Sequence, residues 1–468
     1  MLFSSNIFIF VFLPAVLLLY YILPNKLRNT TLLFFSLVFY AFDSISHAVI
    51  LVAICLANYI LAQYLATCGN RRLALSMGIV GNLGVLIYYK YVNFFLSAYA
   101  DILSVFSVPV KSVSVNIVLP IGVSFFTFHA ISYLVDIYKN KVPPSRDLVG
   151  FSMYFVMFPH LIAGPIVRYS EVSSSIYSRI CTLQKFHSGC VRFCLGLGKK
   201  ILLADQLAVV SEKIFSLNSV SELNTPVAWL GILCYTFQIY YDFSGYTDMG
   251  IGLAEMFGFT FPENFMQPYR SANISTFWRT WHMTLGRWFK DYLYIPLGGN
   301  KKTLLRTCLN LLIVFFLCGL WHGASYPFMI WGLYYGILLC VERILKTKFN
   351  ITIHGILGIV FSFFLVVVGW VFFSQPTLSM ARDYLYVLFS FNFTDYYYSV
   401  RHFLTFDKDI VLLASIFFAF FNFPRVDVEQ ESGAGWIAAK SGFALVILVL
   451  ACANMALYGF KPFIYFQF

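Results

Sequence analysis

The chain has 468 residues, of which 60% are hydrophobic and 11% are charged, whereas an ordinary soluble domain has about 25% charged residues. This composition excludes a soluble globular protein and predicts an all-α polytopic membrane protein. The net charge of +11 would suit a nucleic-acid-binding protein, but the basic residues lie in short loops between apolar runs. Positive-inside bias is the simpler cause, so we expect the lipid bilayer, and no nucleic acid, as a partner.

Apolar runs recur along the whole chain, from residues 7–23 to residues 442–459. Several are shorter than the ~20 residues that a full crossing needs, so we expect about ten to thirteen membrane segments, some of them short re-entrant helices. No basic region precedes Ile7 and no small-residue cleavage site follows Leu23. These flanks predict a retained first span rather than a signal peptide.

Clusters of basic residues mark the loops that positive-inside bias places in the cytoplasm. The clusters are Lys26 with Arg28, Arg71 with Arg72, Lys139 with Lys141 and Arg146, Lys301 with Lys302 and Arg306, and Arg343 with Lys346 and Lys348. The N-terminus then lies outside. Between the loops at 72 and 139 the chain must cross an even number of times, yet apolar stretches occur at 73–89, 92–107 and 117–138. We expect one of these stretches to lie along the membrane interface.

Several kinds of chemistry lose support because their motifs are missing from the sequence. The ten cysteines are scattered singly, without CxxC pairs or Cys/His clusters, and are typical of small core residues. Neither a Walker loop nor an HExxH motif occurs, which disfavours ATP-driven transport and zincin chemistry. We therefore expect no metal and no bound cofactor. No internal repeat is visible, which weakens an inverted-repeat transporter.

Two polar islands interrupt the apolar runs of the first half of the chain. The first, at 119–129, continues to Tyr133 and Asp136 and favours a helix packed through small and hydroxyl residues, with a pore-lining His129 as the alternative. The second, at 158–169, contains Pro159 and Pro165, which break the helix near a membrane face. A broken helix is tolerated only where it borders protein or a water-filled cavity.

A third polar island, at 238–255, has the spacing of one helix. A stripe of small and polar residues would then share one face; its members are Tyr241, Gly245, Asp248, Gly252 and Glu255. Such a stripe faces other helices or a cavity rather than lipid. It indicates either helix packing with satisfied carboxylates or a binding surface to which Tyr241 and Asp248 contribute.

A fourth island combines aromatic and basic residues. Aromatic and apolar residues at spacings of four, three and four predict one helix at or near the cytoplasmic interface; they are Trp281, Leu285, Trp288 and Tyr292. From Arg270 to Arg306 there are seven Lys/Arg and only Asp291 as a carboxylate. Anionic lipid and positive-inside bias are the simpler explanation of this charge, and a dock for a polyanionic cytoplasmic donor such as coenzyme A is the alternative.

His322 lies in a polar turn between two apolar runs. An ionisable side chain at membrane depth is costly to keep, which makes His322 a candidate for function. The apolar run from Thr307 to Leu320 has 14 residues and would rise roughly 21 Å, short of the ~30 Å hydrocarbon core. We therefore expect His322 to lie part-way across the membrane, open to a cytoplasmic donor on one side and an external acceptor on the other.

Four co-ordered segments resemble the membrane-bound O-acyltransferase family, in its bacterial alginate O-acetylase branch. They are PHLIAGPIVRY, QIYYDFSGYTDMGIGLA, WRTWHMTLGRWFKDYLYIPLGGNK and GLWHGASYPFMIWGLYYG. In that family the histidine of the WHG motif is catalytic, which corresponds to His322, and a second family histidine corresponds to His282. The resemblance implies one domain around a central funnel and tunnel. Its parts would be N-terminal helices (1–115), a motif-bearing core (116–345) and C-terminal helices (346–468), together residues 1–468.

The resemblance also implies an activity. It is acetyl-CoA-dependent O-acyl transfer in a bacterial inner membrane, with the acetyl group delivered outside to a polysaccharide, directly or through a partner acetyltransferase. Acyl transfer from a thioester to a hydroxyl needs a base for the hydroxyl proton and then an acid for the departing sulfur. A neutral histidine can do both. We expect His322 to be the general base and His282 to position donor or acceptor.

Further substrate contacts are expected near the two histidines and on the third island. The candidates are Trp321, Trp281, Asp248, Tyr241, Arg287 and Ser325. Alginate, cellulose, peptidoglycan and other polymers remain open as acceptors. The alternatives to this function are a transporter or flippase, D-alanyl-type transfer from a carrier protein, and a non-catalytic scaffold for a polysaccharide synthase.

Overall fold

The fold is helical throughout the part of the chain that the structure describes. The computed structural model describes residues 1–107, 114–217, 222–394, 398–421, 434–458 and 462–464. No β-strand occurs in these ranges, and the predicted all-α fold class is confirmed. The chain divides into two compact units: unit 1 is Met1–Phe186 with Leu253–Pro262, and unit 2 is His187–Gly252 with Glu263–Phe468. The single domain expected from the sequence stays a prediction.

Unit 1 contains the N-terminal helices and the proline-broken island. Its helices are α1 (Leu13–Ile22), α2 (Arg28–Ala41), α3 (Ile45–Thr67), α4 (Arg71–Leu86), α5 (Val92–Val105), α6 (Val123–Tyr138), α7 (Leu148–Val156), α8 (Phe158–Leu161) and α9 (Tyr169–Ser178). The chain leaves the helical path after Val156 and again after Leu161, and resumes it at Tyr169. The break predicted at the two prolines is thus confirmed, as expected for residues that remove backbone donors.

Unit 2 contains the third and fourth islands and the C-terminal helices. α10 (Leu183–Gly198) and α12 (Thr225–Met256) each cross the boundary between the units. The other helices of unit 2 are α11 (Asp205–Phe215), α13 (Ile274–Thr280), α14 (Met283–Phe289), α15 (Leu304–His322), α16 (Tyr326–Phe349), α17 (Gly355–Ser374), α18 (Leu378–Phe389), α19 (Val400–Phe403), α20 (Phe406–Phe420) and α21 (Ala434–Tyr458).

Six helical stretches in the described ranges are long and apolar enough to cross a membrane. They are Ile45–Thr67, Arg71–Val105, Leu304–His322, Tyr326–Phe349, Gly355–Ser374 and Gly435–Leu457, and shorter apolar helices occur at Phe8–Ile22 and Val123–Tyr138. These stretches support a multi-pass membrane protein. The larger number of ten to thirteen segments stays a prediction.

Two of the three apolar stretches between the basic loops at 72 and 139 are joined in the structure. α4 continues through the π-helical turn Ile87–Tyr91 into α5, so that Arg71–Val105 is one helical stretch. The stretches predicted at 73–89 and 92–107 are therefore one element. The expectation that one of the original stretches lies along the membrane interface stays a prediction.

The third island is part of one continuous helix, as predicted, and its stripe faces α10. A Cβ added to Gly245 would lie 2.7 Å from the carbonyl oxygen of Gly196, and one added to Gly252 would lie 2.6 Å from that of Gly189. Only glycine allows the two backbones to approach this closely. The prediction that the stripe faces another helix rather than lipid is confirmed for these positions.

The single helix expected over the fourth island is broken near its start, and only part of the prediction is correct. α13 ends at Thr280, α14 begins at Met283, and the π-helical turn Lys290–Tyr294 follows. The break lies at His282, whose φ of 43° is left-handed. A left-handed residue cannot continue a right-handed helix, so Trp281 lies outside the helix. Leu285, Trp288 and Tyr292 lie in the continuous stretch of α14 and the π-helical turn, as predicted.

A close crossing of α15 and α16 fixes the end of α15. A Cβ added to Gly319 would lie 3.2 Å from the Cα of Gly332 and would collide with the carbonyl oxygen of Phe328. A Cβ on Gly332 would likewise collide with the carbonyl oxygen of Phe315. The two backbones therefore touch at a point where only glycine fits.

α15 is longer than the apolar run in the sequence. Its 19 residues rise roughly 28 Å, close to the ~30 Å hydrocarbon core. The Thr303 side chain accepts a hydrogen bond from the Arg306 N–H and begins the helix ahead of the apolar run. The expectation that His322 lies part-way across the membrane is based on the shorter apolar run of the sequence, and it stays a prediction.

Alanine substitution tests the glycine crossing. Gly332→Ala should lower stability by about 1–3 kcal/mol because the added methyl group overpacks the crossing. Gly84→Ala is the matched control, because a Cβ there meets no heavy atom within 4 Å; it should be neutral or stabilise by up to about 1 kcal/mol through helix propensity. The thermal midpoints of both variants in detergent provide the measurement, and equal midpoints would contradict the close crossing.

Candidate active site

His322 is the last residue of α15 and lies in a turn with little freedom. The N–H of Gly323 donates to the carbonyl oxygen of Gly319 at 3.2 Å, which closes the helix. A Cβ on Gly323 would collide with the ring of Phe328. Ser325 then precedes the first residue of α16 and makes no side-chain capping bond. Sterics on both sides of the turn thus fix the backbone of His322.

Three aromatic side chains enclose the His322 ring. The ring centroids of Trp321, Trp331 and Phe373 lie 4.9, 5.1 and 5.4 Å from it, with interplanar angles of 79°, 81° and 71°. These neighbours come from α15, α16 and α17, and His322 is only 4% exposed. A histidine in such a setting has little access to bulk water.

His282 lies at the break between α13 and α14 and is held by Asn264. The imidazole Nδ1 is 3.1 Å from Oδ1 of Asn264, and the N–H of Met283 donates to the backbone oxygen of Asn264 at 2.9 Å. Burial lowers the pKa of His282 to about 3, so the ring is neutral at physiological pH. Its Nε2 makes no hydrogen bond to any described residue.

Trp321 connects the two histidines. Its ring centroid lies 6.1 Å from that of His282 and 4.9 Å from that of His322. The structure therefore brings together three of the residues expected from the sequence, from α15 and from the break before α14. A neutral, buried His282 and an enclosed His322 flank the same indole.

Trp281 belongs to the aromatic packing behind this group. It is 1% exposed, and its ring lies 5.0 Å from that of Trp370, which stacks on Trp331 at 6.0 Å. Trp331 in turn contacts His322. Trp281 is thus connected to the His322 enclosure through two further tryptophans.

The remaining expected residues differ in their placement. Ser325 is half-buried three positions beyond His322, whereas Arg287 is exposed on α14. The Tyr241 hydroxyl donates to the carbonyl oxygen of Ser415 at 2.6 Å and is buried. This contact ties α12 to α20.

Asp248 lies in a cluster of ion pairs with α10 and the residues that follow it. Its Oδ1 is 2.9 Å from Nη2 of Arg192, and its Oδ2 is 2.6 Å from Nζ of Lys199. Arg192 also pairs with Glu263 at 2.7 Å. Both carboxylate oxygens of Asp248 are therefore engaged within unit 2.

Sequence reasoning missed two features of this unit. Asn264, fully buried, belongs to no motif, and nothing in the sequence pairs it with His282. Lys200 is 2.6 Å from Asp205 and 2.7 Å from Asp242, with its side chain 3% exposed. The signal for this buried ion group is a lysine beside an apolar run and an acidic residue in the third island.

A cavity lies near the other end of α15. Its volume of about 530 Å³ is in the size class of ligand pockets, and it is lined by Thr307 and Leu311 of α15 and by Arg279, Arg343 and Lys346. This cavity joins the basic stretch recognised in the fourth island to the basic end of α16. Among the described residues, no group of three His, Cys, Asp or Glu could hold a metal ion.

Comparison with known proteins decides the family. The sequence model of the membrane-bound O-acyltransferase family matches residues 35–379. The chain belongs to this family. The O-acyltransferase is 39% identical to a probable alginate O-acetylase of Azotobacter vinelandii, over 100% of both chains. It is also 36% identical to the peptidoglycan O-acetyltransferase of Helicobacter pylori, over 82% of this chain and 79% of that protein.

A more distant relative is named for a different activity. The teichoic acid D-alanyltransferase of Bacillus subtilis is 27% identical over 48% of this chain and 59% of its own length. All three relatives are named as acyl-group transferases. This O-acyltransferase is therefore a membrane enzyme of that class.

The ion cluster around Asp248 yields a stability prediction. Asp248→Ala removes two charge-assisted contacts and should lower stability by about 1.5–3 kcal/mol. Asp383→Ala is the control, since Asp383 pairs with Arg382 at an exposed position and should change stability by about 0–1 kcal/mol. Thermal midpoints of the purified variants measure the difference. An unshifted midpoint for Asp248→Ala would show that the cluster does not hold unit 2 together.

Proposed function

We propose that this enzyme transfers an acetyl group from cytoplasmic acetyl-CoA to a hydroxyl on the extracytoplasmic side of a bacterial inner membrane. The acceptor is a polysaccharide, reached directly or through a partner acetyltransferase. The observation that carries the proposal is the enclosed His322, separated by one indole from a neutral His282. The family membership supplies the reaction class, and the histidine pair supplies the groups that such a reaction needs.

His322 is proposed as the general base. It takes the proton of the acceptor hydroxyl while the hydroxyl oxygen attacks the thioester carbonyl carbon. A C–O bond forms, and the C–S bond breaks as the tetrahedral intermediate collapses. The proton held by His322 then passes to the departing sulfur, which leaves as free coenzyme A. Atoms and charge balance without a metal or a bound cofactor.

The 530 Å³ cavity supports a cytoplasmic donor that is both anionic and long. Arg279, Arg343 and Lys346 outnumber the lining carboxylate of Glu342 and give the cavity a basic rim suited to phosphate groups. Leu311 lines the cavity, and His322 lies eleven residues farther along the same helix, a rise of roughly 16 Å. A nucleotide bound at this rim would need a flexible arm to bring its thioester to His322, and acetyl-CoA has one.

The acceptor proposal follows the relatives. Two of them are named for O-acetylation of alginate and of peptidoglycan, both of them glycan polymers. Trp321 and Ser325, next to His322 in the turn, are proposed to contact the substrates, and so is the exposed Arg287. We propose that three other residues support the substrate site through packing, because their contacts lie within unit 2; they are Trp281, Tyr241 and Asp248.

Replacing His322 tests the proposed base. His322→Ala should lower acetyl transfer by about 10²–10⁴-fold, the usual contribution of a general base, without lowering the amount of folded protein. His402→Ala, at an exposed position on α19, is the matched control and should transfer like the unchanged enzyme. Proteoliposomes supplied with labelled acetyl-CoA and alginate, cellulose or peptidoglycan strands provide the measurement. Undiminished transfer by His322→Ala would remove His322 from the mechanism.

The same assay separates the alternative functions. Incorporation of label into a glycan supports the transferase, whereas movement of unmodified glycan across the bilayer indicates a flippase. A D-alanyl carrier protein offered as donor in place of acetyl-CoA tests D-alanyl transfer. If neither donor gives a labelled product with any acceptor or periplasmic partner fraction, the proposed reaction is wrong.

The donor cavity yields a kinetic prediction. Arg343→Ala should raise the KM for acetyl-CoA by about 10-fold or more and leave kcat nearly unchanged, because it removes a charge-assisted contact made equally in the ground and transition states. Arg382→Ala removes an exposed arginine outside the cavity lining and serves as the control. Initial rates at varied acetyl-CoA concentration give KM and kcat for each variant. A fall in kcat with an unchanged KM would contradict a donor site at this cavity.

A further inference from the structure

The side-chain carbonyl oxygen of Asn264 accepts hydrogen bonds from three directions. The N–H and the hydroxyl of Thr284 donate to it at 3.1 and 2.8 Å, and Nδ1 of His282 lies 3.1 Å away. The Asn264 amide nitrogen faces the hydroxyl of Thr247 at 3.4 Å. Asn264 is fully buried, so these partners define its orientation.

These contacts determine which nitrogen of His282 has the proton. A backbone N–H can only donate, so the atom that it meets must be the amide oxygen rather than the amide nitrogen. An amide oxygen can only accept. Nδ1 of His282 must therefore carry the hydrogen, and in a neutral imidazole Nε2 is then a bare acceptor.

We infer that Asn264 is a positioning residue that holds His282 in the Nδ1–H tautomer, so that Nε2 accepts a hydrogen bond from an N–H or O–H group of a substrate. The inference rests on the function proposed above. It excludes His282 as a donor to the oxyanion of the tetrahedral intermediate, because a bare nitrogen has no hydrogen to give. The group that it receives is an amide N–H of the donor arm or a hydroxyl of the acceptor.

The surroundings of Nε2 agree with a substrate-facing acceptor. His282 is 1% exposed, and Nε2 has no hydrogen-bond partner within the described ranges. The centroid of the Phe243 ring lies 4.7 Å from that of the His282 ring, with the two rings perpendicular. The centroid of the Trp321 ring, next to His322 in sequence, lies 6.1 Å from that of the His282 ring. Burial alone lowers the pKa of the ring, and no charged side chain contributes to that shift. Most buried polar atoms in proteins have a hydrogen-bond partner, and a substrate group that donates to Nε2 would supply one here.

The backbone around His282 shows that this orientation is imposed. His282 takes a left-handed conformation with φ 43°, which is uncommon for a residue with a side chain. Asn264 accepts the Met283 N–H through its backbone, and Met266 donates to the carbonyl oxygen of Thr280 at 2.9 Å. Residues 264–266 therefore bind the chain on both sides of His282, and the strained residue persists because its neighbours over-determine it.

The decisive variant is Asn264→Asp, which keeps an oxygen for all three donors but adds a negative charge. That charge favours the doubly protonated imidazolium, in which Nε2 can no longer accept. The acid limb of the pH profile of kcat/KM should shift to higher pH by about 1–3 units relative to the unchanged enzyme, and activity should be recovered at alkaline pH. Asn310→Asp is the control, since Asn310 is equally buried but donates to Gly299; its profile should not shift.

A second variant removes the acceptor altogether. Asn264→Leu leaves Nδ1–H without a partner and should reduce kcat/KM by about 10–100-fold, as loss of an orienting residue commonly does. A rise in KM confined to acetyl-CoA assigns the Nε2 partner to the donor arm, and a rise confined to the glycan assigns it to the acceptor. Folded protein is measured for each variant by its thermal midpoint, so that rates are compared per folded molecule.

Nitrogen NMR of histidine-labelled protein reports the tautomer of His282 independently of any activity assay. The His282 signal is assigned by its loss in His282→Ala. A protonated Nδ1 and a bare Nε2 are expected, and the reverse pattern would overturn the inference. An unshifted pH profile for Asn264→Asp in an enzyme that transfers acetyl groups would overturn it as well, and would leave the proposed function intact. Absence of transfer by the unchanged enzyme, together with the expected tautomer, would instead overturn the proposed function alone.

Discussion

The backbone contact between α15 and α16 is the constraint on which the candidate site depends. Gly319 and Gly332 let the two helices touch without side chains between them, and His322 follows Gly319 by three residues. The next residue, Gly323, leaves room for the Phe328 ring where any larger side chain would collide. The position of the proposed base is thus set by three residues that carry no chemistry. Close helix approach of this kind is how membrane proteins obtain rigidity without a hydrophobic driving force.

The parts of the fold that depend on local pattern could be predicted from the sequence. The helical stripe from Tyr241 to Gly252 and the proline break at 158–169 both follow from periodicity and from residues with fixed backbone requirements. The aromatic spacing at 281–292 predicted one helix, and the structure separates Trp281 from the helical stretch that begins at Met283. Periodicity records which residues are apolar, and it cannot show that Asn264, 18 positions away in sequence, bonds His282 and Met283 at the break between α13 and α14.

The sequence predicts the parts of the candidate site whose chemistry belongs to a single residue. It does not predict the parts that depend on contacts between separate elements. His322 stands out in the sequence because an ionisable residue between apolar runs is costly. Asp248 stands out by the same criterion, yet the structure surrounds it with Arg192 and Lys199. Those cations come from α10 and the turn after it, more than forty residues away in sequence. Polar residues that hold helices together and polar residues that meet a ligand have the same appearance in a sequence, because only their partners differ.

The aromatic enclosure of His322 has a consequence for what happens to the acyl donor. A thioester beside an activating base is open to attack by any hydroxyl, and water is far more abundant than a sugar hydroxyl. Rings from α15, α16 and α17 cover the imidazole and leave it 4% exposed. Exclusion of water suppresses such side reactions. In the reaction proposed above, the three rings would therefore protect the donor from wasteful hydrolysis until the proposed acceptor takes the acetyl group.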